Sequence, residues 1–239
     1  MTHRFVMLAA VCGLAAAPQA GRVATPQSAS GTIRGHLQLA GKLPGNPIIR
    51  MGVDPKCAAL NAGKRVVQET VMASADGSLA NVFVSLQGTF PPTPVPSTPI
   101  TIDQQGCVYR PRVIGIRAGQ TLEFHNGDGL LHNVRSVSAQ GNEFNVGQPP
   151  AAPVFRFTPA HEELMLRVKC DIHSWMTTYV GVISHPYFAV SGAEGAFSIA
   201  NVPAGTRTIQ AWHERYGVLT KSVTVKAGAV ATVDFTYSQ

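Results

Sequence analysis

The chain has 239 residues, 45% of them hydrophobic, which is enough for one or two packed domains. Only 13% of residues are charged, against roughly 25% for an average soluble domain, and with 23 Gly and 17 Pro this favours short strands and tight turns over long helices. The formal charge is +6; residues 1–30 hold Arg4 and Arg22 and no acid, so the remainder has 17 basic against 13 acidic residues, or +4, and the absence of any Lys/Arg run excludes nucleic acid as a natural partner while leaving an acidic one open.

The chain opens with Arg4 and an apolar run, Phe5 to Ala17, too short for the ~20 apolar residues that span a bilayer as a helix. It reads as a secretory signal peptide over residues 1–30, with cleavage between Ala20 and Ser30 and a periplasmic or extracellular destination. Val11 is too large for a lipoprotein signal ending at Cys12, and no later segment is long and apolar enough to span a membrane. Period-2 alternation then dominates, with no clear helical period. Ile33, Leu37 and Leu39 alternate with Arg34, His36 and Gln38; Val82, Val84 and Leu86 with Asn81, Phe83 and Ser85; Leu164, Leu166 and Val168 with Glu163, Met165, Arg167 and Lys169. Val223, Val225, Val233, Phe235 and Tyr237 continue the pattern. Turn signals such as Asp76-Gly77, Asn126-Gly127-Asp128-Gly129 and Glu194-Gly195 separate the runs. The fold class is all-β, a sandwich and a second, smaller one. The expected boundaries are an N-terminal β arm over 31–78, a central sandwich over 79–185 and a tail over 186–239. The proline-rich Pro91–Pro99 is expected to be an extended, exposed connector.

Chemistry concentrates at Cys170-Asp171-Ile172-His173-Ser174-Trp175-Met176, where a strand delivers a Cys followed by His at +3 and Met at +6. Upstream, His132-Asn133-Val134 supplies a second His in a strand-like setting. One thiolate, two imidazoles and a thioether are the donor set of a mononuclear type 1 copper centre, because soft sulfurs suit Cu(I) and imidazoles suit both oxidation states. Cys170 shares parity with Leu164, Leu166 and Val168, and His132 with Leu130 and Val134, so both point inward if no bulge intervenes. Zinc accepts Cys and His, but Met argues against it. A Cys–His hydrolase lacks a third orienting group, so no enzyme activity is expected.

Once Cys12 leaves with the signal, Cys57, Cys107 and Cys170 remain, and three cannot all pair. A Cys57–Cys107 disulfide, both residues in turn-like settings, leaves Cys170 for the metal; free thiols or a second copper site are the alternatives. Bland roles are expected for His36, His125, His161, His185 and His213, with Arg110 and Arg112 on the surface.

The Cys-x2-His-x2-Met loop and His132-Asn133-Val134 resemble the ligand motifs of cupredoxins, amicyanin and plastocyanin among them, over roughly residues 79–185. The resemblance implies a cupredoxin Greek-key β-sandwich, one type 1 copper held by His132, Cys170, His173 and Met176, and Asn133 bracing the ligand loop by hydrogen bonds. It also implies single-electron transfer through a surface-exposed His173 to redox protein partners, acidic or membrane-associated. Leu130, Leu131 and Trp175 would then form an apolar docking patch around that edge. With Pro186-Tyr187-Phe188 after that region and Trp212-His213 near the end, the wider chain resembles methylamine-utilisation-like proteins, and its tail a carboxypeptidase regulatory-like (transthyretin-like) β-sandwich. The tail alone is short for that module, so the run from Gly31 to Leu60 is expected to pack with residues 187–239 around an inserted cupredoxin. Copper storage or delivery is one alternative function. A structural or carbohydrate-binding module, using Tyr187, Phe188, Trp212 and Tyr216 as a sugar platform, is another; the plainer reading of those four is core aromatics.

Overall fold

A computed structural model describes residues 1–2 and 30–238; the signal-peptide expectation falls almost wholly on residues 3–29, outside the described residues. The alternating runs form four sheets that pair into two sandwiches. In one, strand Ser30–Leu39 is flanked by Ala196–Pro203 on one side and by Val230–Thr232 and Phe235–Tyr237 on the other. This sheet faces a second, in which Phe188–Val190, Phe83–Gln87, Gly205–His213 and Gly217–Val225 lie side by side. Their shared core includes Ile33, Leu37, Val84, Leu86, Ile199, Ile209 and Phe235. The central sandwich pairs the five-stranded sheet Val113–Arg117, Thr177–Ile183, Glu163–Lys169, His132–Val137, Asn145–Gln148 with the four-stranded sheet Tyr109–Arg110, Ile100–Gln104, Leu122–Asn126, Phe155–Phe157. Its core is built from Ile102, Ile116, Leu122, Phe124, Val134, Leu166, Val168 and Val180.

The first sandwich is therefore assembled from both ends of the chain, and the central one is inserted between Phe83–Gln87 and Phe188–Val190. Strand Phe83–Gln87, expected on the central side of a boundary at 79, pairs instead with tail strands. Alternation marks a strand but not its sheet. Here Val84 and Leu86 fill the outer core, while Phe83 on the opposite face fills the seam between the sandwiches with Val113, Met165 and Ile183. Two glycines make that seam possible. Gly115 and Gly181 are paired neighbours. A Cβ on Gly115 would lie 2.5 Å from the Phe188 ring, and one on Gly181 2.4 Å from Phe83. Arg112, expected at the surface, crosses the same seam: its Nε and Nη2 donate to Glu214 at 3.0 and 2.6 Å, and the two side chains are 10% and 8% exposed.

Two local departures bear on the site. A bulge between Glu163 and Leu166 puts Met165 at φ 62° and turns Leu164 out to 40% exposure. Leu166, Val168 and Cys170 stay buried beyond it, so the parity expected for Cys170 holds only from Leu166 onward. Cys57 lies in a six-residue helix, Pro55–Leu60, rather than a turn. Asp54 caps it, its Oδ1 accepting the N–H groups of Lys56 and Cys57 at 2.8 and 3.2 Å, with Pro55 at the first helical position. Among the described residues no helix is long and apolar enough to cross a membrane.

Candidate metal centre

His132 opens its strand, next to the edge of the five-stranded sheet, and Cys170 follows the neighbouring central strand Glu163–Lys169. The chain then closes a tight loop: the Cys170 N–H donates to the Met176 carbonyl at 3.2 Å and the Met176 N–H to the His173 carbonyl at 2.9 Å. That loop returns His173 beside Cys170 and beneath His132. His132, Cys170 and His173 place one donor atom each within 4.8 Å of one another. The two Nδ1 atoms are 3.0 Å apart, and Cys170 Sγ is 3.8 Å from His173 Nδ1. A metal about 2.0–2.1 Å from each nitrogen and about 2.3 Å from sulfur requires spacings of about this size. Met176 is fully buried in the same core cluster.

Each histidine is held by its far side. His132 Nε2 meets Asp128 Oδ2 at 2.8 Å, and His173 Nε2 meets Asp54 Oδ2 at 3.1 Å. Carboxylates accept, so each Nε2 carries a proton, and with both imidazoles neutral the two Nδ1 lone pairs point at one another. Two buried lone pairs at 3.0 Å repel unless a proton or a metal ion lies between them. Asp128 is itself anchored by the N–H groups of Gly106 and Cys107, at 2.7 and 2.8 Å. Burial raises the Asp128 carboxyl, but His132 and these two N–H groups outweigh it and hold the group below its ordinary value. For His132 burial pushes downward, and Asp128 and Cys170 more than reverse it. Burial pushes the Cys170 thiol up; His132 and the N–H groups of His173, Asn133 and Ile172 overcome this and bring it to about 7. Asp54 is lowered chiefly by its bond to His173.

Asn133 ties the loop to the sheet. Its Oδ1 accepts the Asp171 N–H at 3.1 Å, its Nδ2 donates to Asn145 Oδ1 at 2.7 Å and to the Val146 carbonyl at 3.2 Å, and its own N–H lies 3.4 Å from Cys170 Sγ. Cys57 and Cys107 form a disulfide, and Cys170 is the free, buried cysteine among the described residues.

Several expectations are corrected. His173 is 1% exposed, because the Asp54–Cys57 segment lies over it. The docking patch is not assembled as expected: Leu130 is 4% exposed and belongs to the core, as its parity with His132 demands. Trp175 is half-buried, its ring 5.3 Å from His173 and its indole N–H donating to the Cys107 carbonyl at 2.8 Å. Leu131 is exposed, as is Ile172. His125 keeps the bland role expected of it, bonding Glu123. The four tail aromatics form no open platform: Tyr187 is buried against Phe90, Phe188 packs on Phe83, Trp212 on Tyr179 and Tyr216 on His213. Asp54 and Asp128 had no place in the expected site. In the sequence they show only as an Asp-Pro pair three residues before Cys57 and an Asp four residues before His132, and neither pattern names its histidine partner.

No family model matches the chain, and no curated protein does. Among solved structures it is similar to a reduced amicyanin variant at 21% identity and TM-score 0.31, covering 35% of this chain and 80% of that one. A purple cupredoxin from Nitrosopumilus maritimus gives 22% identity and TM-score 0.30, covering 34% and 97%. A copper-containing nitrite reductase from Thermus scotoductus SA-01 gives 19% identity and TM-score 0.31, covering 62% and 28%. With scores this low, the metal centre stands on its own side chains.

Proposed function

We propose that this chain is a secreted or periplasmic copper protein of the cupredoxin type, carrying single electrons through one type 1 centre held by His132, Cys170, His173 and Met176. The supporting observation is the pair of Nδ1 atoms facing one another at 3.0 Å, each with its Nε2 committed to a carboxylate, beside a buried thiol brought to about 7. A copper ion bound there exchanges one electron between its two common oxidation states. The protein's own part is preorganisation. Asp128 and Asp54 fix both imidazoles in the ligating tautomer. Asn133 and the loop hydrogen bonds hold Cys170 in place. The four donors are 0–2% exposed, so water and substrate are kept away, and this favours a carrier over a catalyst.

The partner face follows from what lies above the centre. Leu131 and Ile172 are exposed beside the two ligand histidines, and the segment covering His173 displays Arg50, Lys56, Lys64 and Arg65. An acidic redox protein fits this surface. A location outside the cytosol agrees with the disulfide.

The test is the visible spectrum of the Cu(II)-reconstituted protein alongside Cys170→Ala. The expected result is an intense band near ~600 nm, bleached by ascorbate and missing in the variant. A colourless wild-type protein that takes up no copper overturns the proposal.

A further inference from the structure

His173 is covered by a segment that precedes every strand of the central sandwich. Asp54 Oδ2 lies 3.1 Å from His173 Nε2, and Cys57 Sγ lies 3.5 Å from the same nitrogen. Met51 packs this cover on the central core, Ile49 and Val66 flank it on the same core, Asn61 Nδ2 donates to the Gly106 carbonyl at 3.0 Å, and the one covalent tie is the disulfide from Cys57 to Cys107. The far end of that bond reaches the other histidine. The Cys107 N–H donates to Asp128 Oδ2 at 2.8 Å, and the same oxygen holds His132 Nε2 at 2.8 Å. The Cys107 carbonyl accepts from Trp175, whose ring lies against His173. One covalent bond thus joins the outer supports of both imidazoles.

We propose that the Cys57–Cys107 disulfide is a redox-removable brace on the metal centre: oxidised, it holds the Asp54–Cys57 cover on His173 and the Cys107–Asp128 support on His132; reduced, it frees the cover, opens His173 Nε2 to solvent and loosens the metal. The proposal rests on the copper reading above. The chemistry is thiol–disulfide exchange with a dithiol reductant, which gives two electrons and two protons. The Cys57–Cys107 S–S bond breaks, two thiols form, and the donor closes to its own disulfide; the metal's oxidation state does not enter the balance. The oxidised form retains its metal and the reduced form releases it, so one centre serves electron transfer in one state and metal hand-over in the other.

Two measurements decide it. The first uses apoprotein: diethylpyrocarbonate labelling of His173, followed by peptide mass spectrometry before and after reduction by a water-soluble phosphine, with exposed His161 as reference. Labelling of His173 should rise roughly ten-fold or more while His161 stays constant; no rise overturns the brace whether or not copper binds. The second loads Cu(I) into wild-type protein and the double variant Cys57→Ser/Cys107→Ser and follows transfer to a bathocuproine chelator. Transfer from the variant should be roughly 10–100-fold faster, the usual effect of removing outer support from metal ligands. Equal rates overturn the brace while leaving the copper reading intact. A wild-type protein that takes up no copper overturns that reading, and the labelling still judges the cover. Should the variant not fold, phosphine-reduced wild-type protein replaces it in the transfer assay.

Discussion

Each sandwich buries a histidine completely, and the two fare in opposite ways. His213 in the outer sandwich is 1% exposed and packs between Tyr216 and Tyr237, ring centroids 4.9 and 5.8 Å away. Its Nδ1 accepts the Arg215 N–H at 3.1 Å, and its Nε2 has no partner. Burial, helped by the nearby positive charges of Arg215 and Arg112, pushes it down to about 4. His132 in the central sandwich is 0% exposed, and burial pushes it the same way, yet Asp128 at 2.8 Å and Cys170 raise it above its ordinary value. Burial alone makes a histidine a neutral aromatic filler. A carboxylate on its outer nitrogen makes it a donor with a fixed tautomer and a directed lone pair. The partner, not the burial, separates a neutral filler from a histidine poised to ligate.

Removing that partner should break the contrast and has the largest expected effect. Asp128→Ala strands three donors at once: His132 Nε2–H and the N–H groups of Gly106 and Cys107. At roughly 1–3 kcal/mol for each donor left unmet, and with partial rehydration, urea unfolding should show a loss of about 4 kcal/mol. Copper affinity should fall roughly 10–100-fold as well. A stability loss under about 1 kcal/mol would show that Asp128 is incidental to the fold.

The outer histidine gives the next effect, in acid. Its folded pKa lies below that of the unfolded chain, so the neutral form is the one the fold favours. Its contribution is complete above pH 6.5 and is lost as pH falls from there toward about 4, where the folded protein finally takes up the proton. Unfolding at pH 7.5 and pH 4.5, compared between wild type and His213→Phe, should give a wild-type loss larger than the variant's by about 2–3 kcal/mol. Equal losses would mean that His213 does not titrate across that window. Smaller again is Gly181→Ala, whose new methyl group would meet the Phe83 ring at 2.4 Å and wedge the two sandwiches apart. A cost of about 2 kcal/mol is expected, with the copper spectrum unchanged. A shifted spectrum would show that the seam and the metal centre are mechanically coupled.

The same contrast explains what could be read from the chain. Donor types and spacing were legible: Cys170, His173 and Met176 stand on one short loop, and His132 lies on a strand of inward parity. The strands were legible from alternation. The supports were not. Asp54 acts on His173 across 119 residues, and Asp128 lies among glycines that signal only a turn. Alternation also could not say that Phe83–Gln87 pairs with the tail, since every sheet uses the same period. Nor could it foresee the bulge that exposes Leu164, or the Glu214 that takes Arg112 off the surface; each depends on a partner far away in sequence. The burial of His173 escaped for the same reason, because its cover precedes the sandwich it covers.

The cover also carries the smallest expected effect, and one that asks which region the partner meets. Arg50, Lys56, Lys64 and Arg65 are exposed over residues 50–65, while the one acid there, Asp54, is committed to His173. Charge reversal at Lys56→Glu and Lys64→Glu touches no buried contact, so stability should stay within about 0.5 kcal/mol. The oxidation rate of the Cu(I) protein by ferricyanide, an anion, is a different matter. Screening weakens attraction between exposed charges as the Debye length shrinks from about 30 Å at 0.01 M salt to about 10 Å at 0.1 M. Stopped-flow rates for the wild type should therefore fall several-fold over that range, and those of the double variant should stay flat or rise. If both respond to salt alike, electrons do not leave beside the cover. The exit then lies on the Leu131 side of the centre, over His132 and away from the charges that guard His173.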